Sequence, residues 1–353
     1  MKLIAQINKL LVSYKKPSDK NSFKNILVVS NSGLGDTILS TPSIISLRKS
    51  FPNVNVTFLV NKKIFPLFKE FEFVDNMLIY TSGFLSQLKL IKKLREKNID
   101  TIFLFHSNGP EDIFFSILSG AKNILKMTDN KQHDYRKIFL NAPNLNLKHD
   151  IEKKLDLLRI FNPRVISKEM RLPLHFYYKK NLLKKDPNIT YVGIQLGAQD
   201  LYKIWPVERF ICLAQKIIKE FKNIKFILFG STDYEKALVE TFQSGLGDLN
   251  LSRNLCGKTA IDELPKALSQ LELLITNDTG TLHLAIALKV KTISLFGPTN
   301  SKVFGPYQDT GLHKVIQKDG YFENELPKKL RSQEGMKLID VDNVFDEVFK
   351  SLK

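Results

Sequence analysis

The chain runs twice through one alternation: a short apolar stretch, a turn of glycine or small polar residues, then an amphipathic helical pattern. Strands are expected at 26–30, 54–60, 77–80 and 101–105, and helices at 42–50, 85–97, 111–119 and 151–160. Strands spaced by helices of this length pair in parallel, because the crossover returns each strand in the same direction. The stretch RLPLHFYYKKNLLKKDPN (171–188) loses periodicity, gathers charge and proline, and reads as a linker. The alternation then restarts, with strands at 190–195, 224–229, 271–276 and 292–296 and helices at 207–221, 282–288 and 341–352. Thr259 and Asp262 form a capping-box pattern that opens a further helix to 270. Two such runs imply two doubly wound α/β domains with a cleft between them, and ligands seated at the carboxyl ends of the strands.

A length of 353 residues suffices for two such cores. No uncharged apolar run approaches the ~18–20 residues of a membrane span. Asn8 and Lys9 interrupt the early apolar stretch, which argues against a signal peptide. Cys212 and Cys256 have no metal-ligand spacing and fit a reducing cytoplasm. The net charge of +17 suits a polyanionic partner or reflects a general lysine bias. Without zinc-finger spacing or an aromatic RNA-binding signature, no nucleic-acid partner is expected. Over residues 1–16, Leu3, Ile4, Ile7, Leu10, Leu11 and Tyr14 share one helical face beside lysines. This is either an interfacial helix on an anionic membrane or a helix packed on its own domain.

Four loops carry the candidate chemistry. In NSGLGDT, Gly33 and Gly35 allow close backbone approach, and a third glycine of a dinucleotide-binding turn is missing, with Ile38 in its place. Asp36 caps a helix or serves as a general base; Pro42 places the start of the regular helix later, at Ser40 or Thr41. In QLGAQDLYKIWP, Gly197 ends a strand, and Lys203 precedes a helix start that suits a phosphate. LCGKTAIDE offers Lys258 and Thr259. In ITNDTGTLHL, the amides of Gly280 and Thr281 would point at an anion, Asp278 would accept from a sugar hydroxyl, and His283 lies one turn in.

NDTGTLHLAIALKVKTISLFGPTN resembles the C-terminal signature of glycosyltransferase family 9, the ADP-heptose:lipopolysaccharide heptosyltransferases. Gly35-Asp36 through Thr41-Pro42, GAQDLYKIWPVERF, NLCGKT and KHDIEKKLDLL resemble further family elements, in order, from about residue 25 to the end. The resemblance implies a GT-B fold, two Rossmann-like doubly wound domains facing a central cleft. It divides the chain after a basic amphipathic extension (1–24) that lies outside the family core into an acceptor-side domain (25–180), a nucleotide-sugar-binding domain (186–340) and a C-terminal helix (341–353) packing back on the N-terminal domain. It implies an inverting enzyme with no cofactor and no metal, moving heptose from ADP-heptose to a lipid-A-linked core oligosaccharide. Its place would be the cytoplasm, with peripheral contact to the anionic inner membrane.

Carried over by motif, Asp36 matches the general base and Lys203 the lysine that meets the leaving pyrophosphate. Gly197, Gly230, Lys258, Thr259, Asp278, Thr279, Gly280, Thr281 and His283 fall on the donor side. Gly33, Gly35, His106, Ser107 and His149 fall on the acceptor side. The chain departs from the pattern at Ile204, where other members carry arginine, and at Gly109-Pro110-Glu111-Asp112 after His106-Ser107. Asp340 and Asp342 form a D-x-D that reads as the cap of the last helix rather than a metal site. Alternatives are a different nucleotide sugar or acceptor, a GT-B nucleotide-sugar epimerase, and a non-catalytic sugar-nucleotide binding protein.

Overall fold

The computed structural model describes residues 24–106, 110–126, 140–141, 148–178, 181–318, 326 and 328–353. The expected N-terminal helix and Ser107 lie outside the described residues. The chain divides into two compact units, Met1–Pro173 and Leu174–Lys353, so the boundary falls inside the stretch read as a linker.

In the first unit the chain forms β1 (Asn25–Ser30), α1 (Leu34–Ile38), α2 (Thr41–Ser50), β2 (Asn55–Asn61), β3 (Asn76–Tyr80) and α3 (Phe84–Glu96). It continues through β4 (Thr101–His106), α4 (Pro110–Leu118), β5 (Asn123–Lys126), β6 (Leu140–Asn141) and α5 (Asp150–Arg159). The six strands make one sheet of order β3-β2-β1-β4-β5-β6, and the pairings are parallel. β1 and β4 are covered on both faces, which is why they read as unbroken apolar runs. One face packs Leu27, Val29, Ile102 and Leu104 against Leu90, Ile91 and Leu94 of α3.

The second unit repeats the plan with β7 (Thr190–Gln195), α6 (Val207–Glu220), β8 (Ile224–Phe229), α7 (Asp233–Leu246), β9 (Ser252–Asn254) and α8 (Leu264–Leu268). β10 (Leu273–Asn277), α9 (Gly280–Ala287), β11 (Thr292–Phe296), β12 (His313–Gln317) and α10 (Val341–Leu352) complete it. Its sheet has the order β12-β11-β10-β7-β8-β9, again with parallel pairings. Each sheet thus begins at an interior strand, and the chain winds outward first to one side and then to the other.

Two expectations are corrected, and one helix is added. α10 packs within the second unit's own core, where Val344 and Val348 are fully buried with Phe210 and Ile217 of α6. Its i,i+4 apolar stripe fits the one α6 leaves open, and Asp342 in its first turn ion-pairs with Lys216 of α6. α8 begins at Leu264, not at a Thr259–Asp262 box; Pro265 sits in its first turn and the Glu263 carboxylate accepts from the Ala260 amide at 3.0 Å. α7 was not expected, although Thr232 and Glu235 form a full capping box at its start.

His313 on β12 is buried beside Thr292, with Nδ1 3.0 Å from the hydroxyl, and burial pushes its pKa down from 6.5 to about 4. The folded protein therefore keeps this imidazole neutral where the unfolded chain takes up a proton. Its contribution to stability is complete above pH 6.5 and is lost as pH falls towards about 4. Across that window, thermal melting of the wild-type protein should fall more steeply than that of His313→Gln. Parallel curves would contradict the assignment.

Candidate active site

In each sheet the crossovers leave in opposite directions on either side of one strand pair. Loops diverge there at the carboxyl edge, the position at which folds of this topology seat ligands. In the first unit the pair is β1 and β4. The register slips by one residue between Val29 and Ser30, so that Ser30 stands opposite His106. His106 Nε2 then lies 3.4 Å from Asp36 Oδ2.

Asp36 is at the third position of the short helix α1. Its Oδ2 accepts from the Ser32 hydroxyl at 2.9 Å and, at 3.4 Å, from the Gly33 amide. A side chain at Gly33 would crowd the carboxylate, since a Cβ there would stand 3.3 Å from Oδ2. Cap and open carboxylate are therefore not exclusive. All three contacts fall on Oδ2; among the described residues Oδ1 has no hydrogen-bond partner, and the side chain is 28% exposed.

α1 ends at Ile38, and Thr41-Pro42 restart the chain as α2 with Ser40 as N-cap. The break leaves backbone carbonyls of α1 without helical partners. The Asp36 carbonyl accepts from Ser40 Oγ at 2.7 Å and from Lys154 Nζ at 3.3 Å. Lys154 is fully buried and ion-pairs with Asp150 one turn back on α5. Burial pushes the Asp150 pKa up, but the Lys154 charge and hydrogen bond outweigh it and hold the carboxyl below its ordinary value. His149, expected on the acceptor side, caps α5 by accepting from the Ile151 amide at 3.2 Å.

In the second unit the diverging pair is β7 and β10. Asn277 ends β10 and is fully buried. Its Oδ1 accepts from the Trp205 amide at 3.1 Å, and its Nδ2 donates to the Leu196 carbonyl at 2.8 Å. One side chain thereby ties the loop after β7 to the end of β10. Trp205 is itself buried, donates its indole N–H to the Ile339 carbonyl at 3.1 Å, and stacks edge-on with Phe210. With the tryptophan anchored and Pro206 opening α6, Lys203 is held two residues upstream.

Lys203 Nζ donates to Asp278 Oδ2 at 2.6 Å, and the Thr299 hydroxyl donates to the same oxygen at 2.7 Å. Burial opposes both charges, but each outweighs it for the other: the Asp278 pKa is lowered and the Lys203 pKa is raised. Beside the pair, Thr279 caps α9 without a side-chain hydrogen bond into the helix. The amides of Gly280 and Thr281 open α9, where the helix dipole favours an anion.

The expected residues form two groups along this edge. Lys203, Asp278, Thr279, Gly280, Thr281 and His283 belong to the β7–β10 end. Gly197 and Gly230 press on Glu235 instead: a Cβ at Gly197 would lie 2.3 Å from its Cγ, and one at Gly230 2.9 Å from its Cβ. Glu235 accepts from Gln195 Nε2 at 2.7 Å and from the Ser231 and Thr232 amides at 2.8 and 2.9 Å. The Gly257 amide donates to the Gly230 carbonyl at 3.0 Å, so the exposed Lys258 belongs to the β8–β9 end; Thr259 Oγ1 bonds the Leu255 carbonyl at 3.4 Å. Asn277 and Thr299 lie inside the quoted signature but were given no role, and Glu235 was passed over despite its Thr-x-x-Glu box. Among the described residues, no group of three or more His, Cys, Asp or Glu is placed to hold a metal ion.

Two parallel, doubly wound sheets of this order are the GT-B architecture. Residues 136–324 match glycosyltransferase family 9 (heptosyltransferase), and the chain belongs to that family. Lipooligosaccharide heptosyltransferase 2 of Campylobacter jejuni is 27% identical over 280 residues, 78% of this chain and 82% of that protein. The solved structure of the Escherichia coli ADP-heptose lipopolysaccharide heptosyltransferase II superposes with a TM-score of 0.75 at 19% identity, covering 93% of this chain and 98% of that one. A family 9 glycosyltransferase from Veillonella parvula gives 0.74 at 22% identity, over 95% and 98% of the two chains.

Replacing Asp278 by asparagine leaves the half-buried Lys203 ammonium without its counter-charge; the cost should fall below the about 3–5 kcal/mol of a fully buried pair. Urea unfolding should register it at neutral pH. Because the Asp278 pKa is depressed, its contribution is present above the ordinary carboxylate value of 3.8 and is lost as pH falls through the folded value. The gap between wild type and Asp278→Asn should therefore narrow in strong acid. A variant as stable as wild type at pH 7 would contradict the pairing.

Proposed function

We propose that the protein transfers heptose from ADP-heptose to a lipid-A-linked core oligosaccharide, with inversion at the anomeric carbon. The acceptor oxygen attacks that carbon as the bond to the pyrophosphate breaks, and the bonding pair leaves with ADP. The acceptor proton goes to Asp36. Negative charge grows on the departing pyrophosphate, and Lys203, rather than a metal, stabilises it most where that charge is greatest.

The observation that carries this reading is the contrast between two carboxylates. Asp278 is buried, neutralised by Lys203 and hydrogen-bonded by Thr299, so it is spent on orientation. Asp36 keeps one oxygen clear and is held from the other. Similarity to the lipooligosaccharide heptosyltransferase of Campylobacter jejuni supports the sugar, and similarity to the ADP-heptose enzyme of Escherichia coli supports the nucleotide. Cytoplasmic placement, with the basic N-terminal stretch resting on the inner membrane, belongs to the same proposal.

Calorimetry should find tighter binding of ADP-heptose than of ADP-glucose, UDP-sugars or GDP-sugars; preference for another nucleotide would overturn the donor assignment. Asp36→Asn preserves acceptance from Ser32 and Gly33 but not the proton. Turnover should drop by roughly 10² to 10⁴, with donor affinity and melting nearly unchanged. Lys203→Ala should raise the barrier by about 2.7 to 4 kcal/mol. Near-normal turnover in either variant would remove that residue from the mechanism.

A further inference from the structure

We infer that the first turn of α3 is a membrane-docking tip that enters an anionic lipid surface. Phe84 and Leu85 open α3 and are 70% and 72% exposed, and Leu88 one turn on is also exposed. The opposite face is spent on the core, through Gln87, Leu90, Ile91 and Leu94. Three large apolar side chains thus stand in water on one short stretch, where isolated exposed apolar residues would be unremarked but a cluster marks a contact surface.

The neighbouring charges specify the partner. Lys89, Lys92 and Lys93 follow on the exposed side of α3, and Lys62 and Lys63 are exposed just after β2. Against them stand Glu96, 3.9 Å from Lys92, and Glu111, which accepts from the Tyr80 hydroxyl at 2.7 Å. An apolar tip ringed by cations is the pattern of a helix that rests in a headgroup layer, with lysines on the anionic lipids and aromatic or leucine side chains below them. The same charge argues against two other occupants. Residues 1–24 carry six lysines and one aspartate, and a second copy of the chain carries +17, so either would meet like charge here.

The position of the tip gives it a use. All strands of this sheet run in one direction, so the loops after β1, β2 and β3 leave from the same edge. Asp36 follows β1, Lys62 and Lys63 follow β2, and Phe84 follows β3. Two strand spacings separate the first from the last, about 10 Å. A tip seated in lipid therefore holds the Asp36 edge just above the headgroups, where the sugar of a lipid-anchored acceptor stands. This use rests on the proposed reaction; the docking itself does not.

The full-length protein should co-sediment with vesicles of phosphatidylglycerol and phosphatidylethanolamine, and much less with phosphatidylcholine alone. Phe84→Ser combined with Leu85→Ser, both exposed, should melt like wild type and lower vesicle partition by about tenfold. Lys89→Glu with Lys92→Glu should lower it too and flatten its dependence on salt. Transfer to a water-soluble acceptor fragment should survive the Phe84/Leu85 change while transfer to vesicle-embedded acceptor falls. If neither acceptor is used even by wild type, the proposed reaction fails while the partition result still stands. Unchanged partition in the Phe84/Leu85 variant would overturn the inference. So would equal binding to phosphatidylcholine, or a wild-type protein that runs as a dimer on gel filtration and is dissociated by the Phe84/Leu85 change.

Discussion

Parallel strand polarity is the constraint from which both sites follow. A sheet whose first strand is interior sends its crossovers to both sides, and only beside that strand do neighbouring loops part. The chain meets this condition twice, at β1–β4 and at β7–β10. Whatever polar groups the two pairs of loops carry are presented to a ligand without further adjustment of the fold. In the first unit a one-residue slip beside β1 sets His106 across from Ser30 and so against Asp36. In the second, the buried Asn277 amide joins the two diverging loops, and Lys203 and Asp278 meet as a consequence.

The two edges treat charge differently. In the first unit the buried charges, Lys154 and Asp150, lie beneath the site and support the Asp36 backbone carbonyl, while the Asp36 carboxylate stays accessible. In the second, the ion pair is itself at the edge, with a hydroxyl on the same carboxylate oxygen. A lysine in a desolvated place loses its charge easily. The aspartate keeps it charged, and in the proposed reaction the remaining ammonium hydrogens face the departing pyrophosphate. Fixed donors of this kind stabilise developing charge without reorganising at the moment of reaction.

Much of the fold was legible because parallel strands buried on both faces write themselves as apolar runs, and their helices as stripes. The short edge strands β9 and β12 left no such mark: Ser-Arg-Asn and His-Lys-Val-Ile-Gln are ordinary loop compositions that become strands only by pairing with β8 and β11. The same limit applies to the site. Lys203, Asp278 and Asp36 stood out as charged residues in turns after strands. Asn277 and Thr299 lie in the quoted signature, but they act through partners at Trp205, Leu196 and Asp278, and the local pattern does not show those pairings. The C-terminal helix was readable as an amphipathic element, but its stripe does not say which surface it covers; the matching apolar groove of α6 decides that.

The division of labour between the two edges is the centre of this account, and hydrogen exchange on the full-length protein with and without ADP tests it most directly. Protection should appear in the amides of residues 201–205 and at the start of α9, around Gly280 and Thr281, with the loop at Asp36 unchanged. Protection confined to residues 25–126, with α9 exchanging as in the free protein, would contradict it.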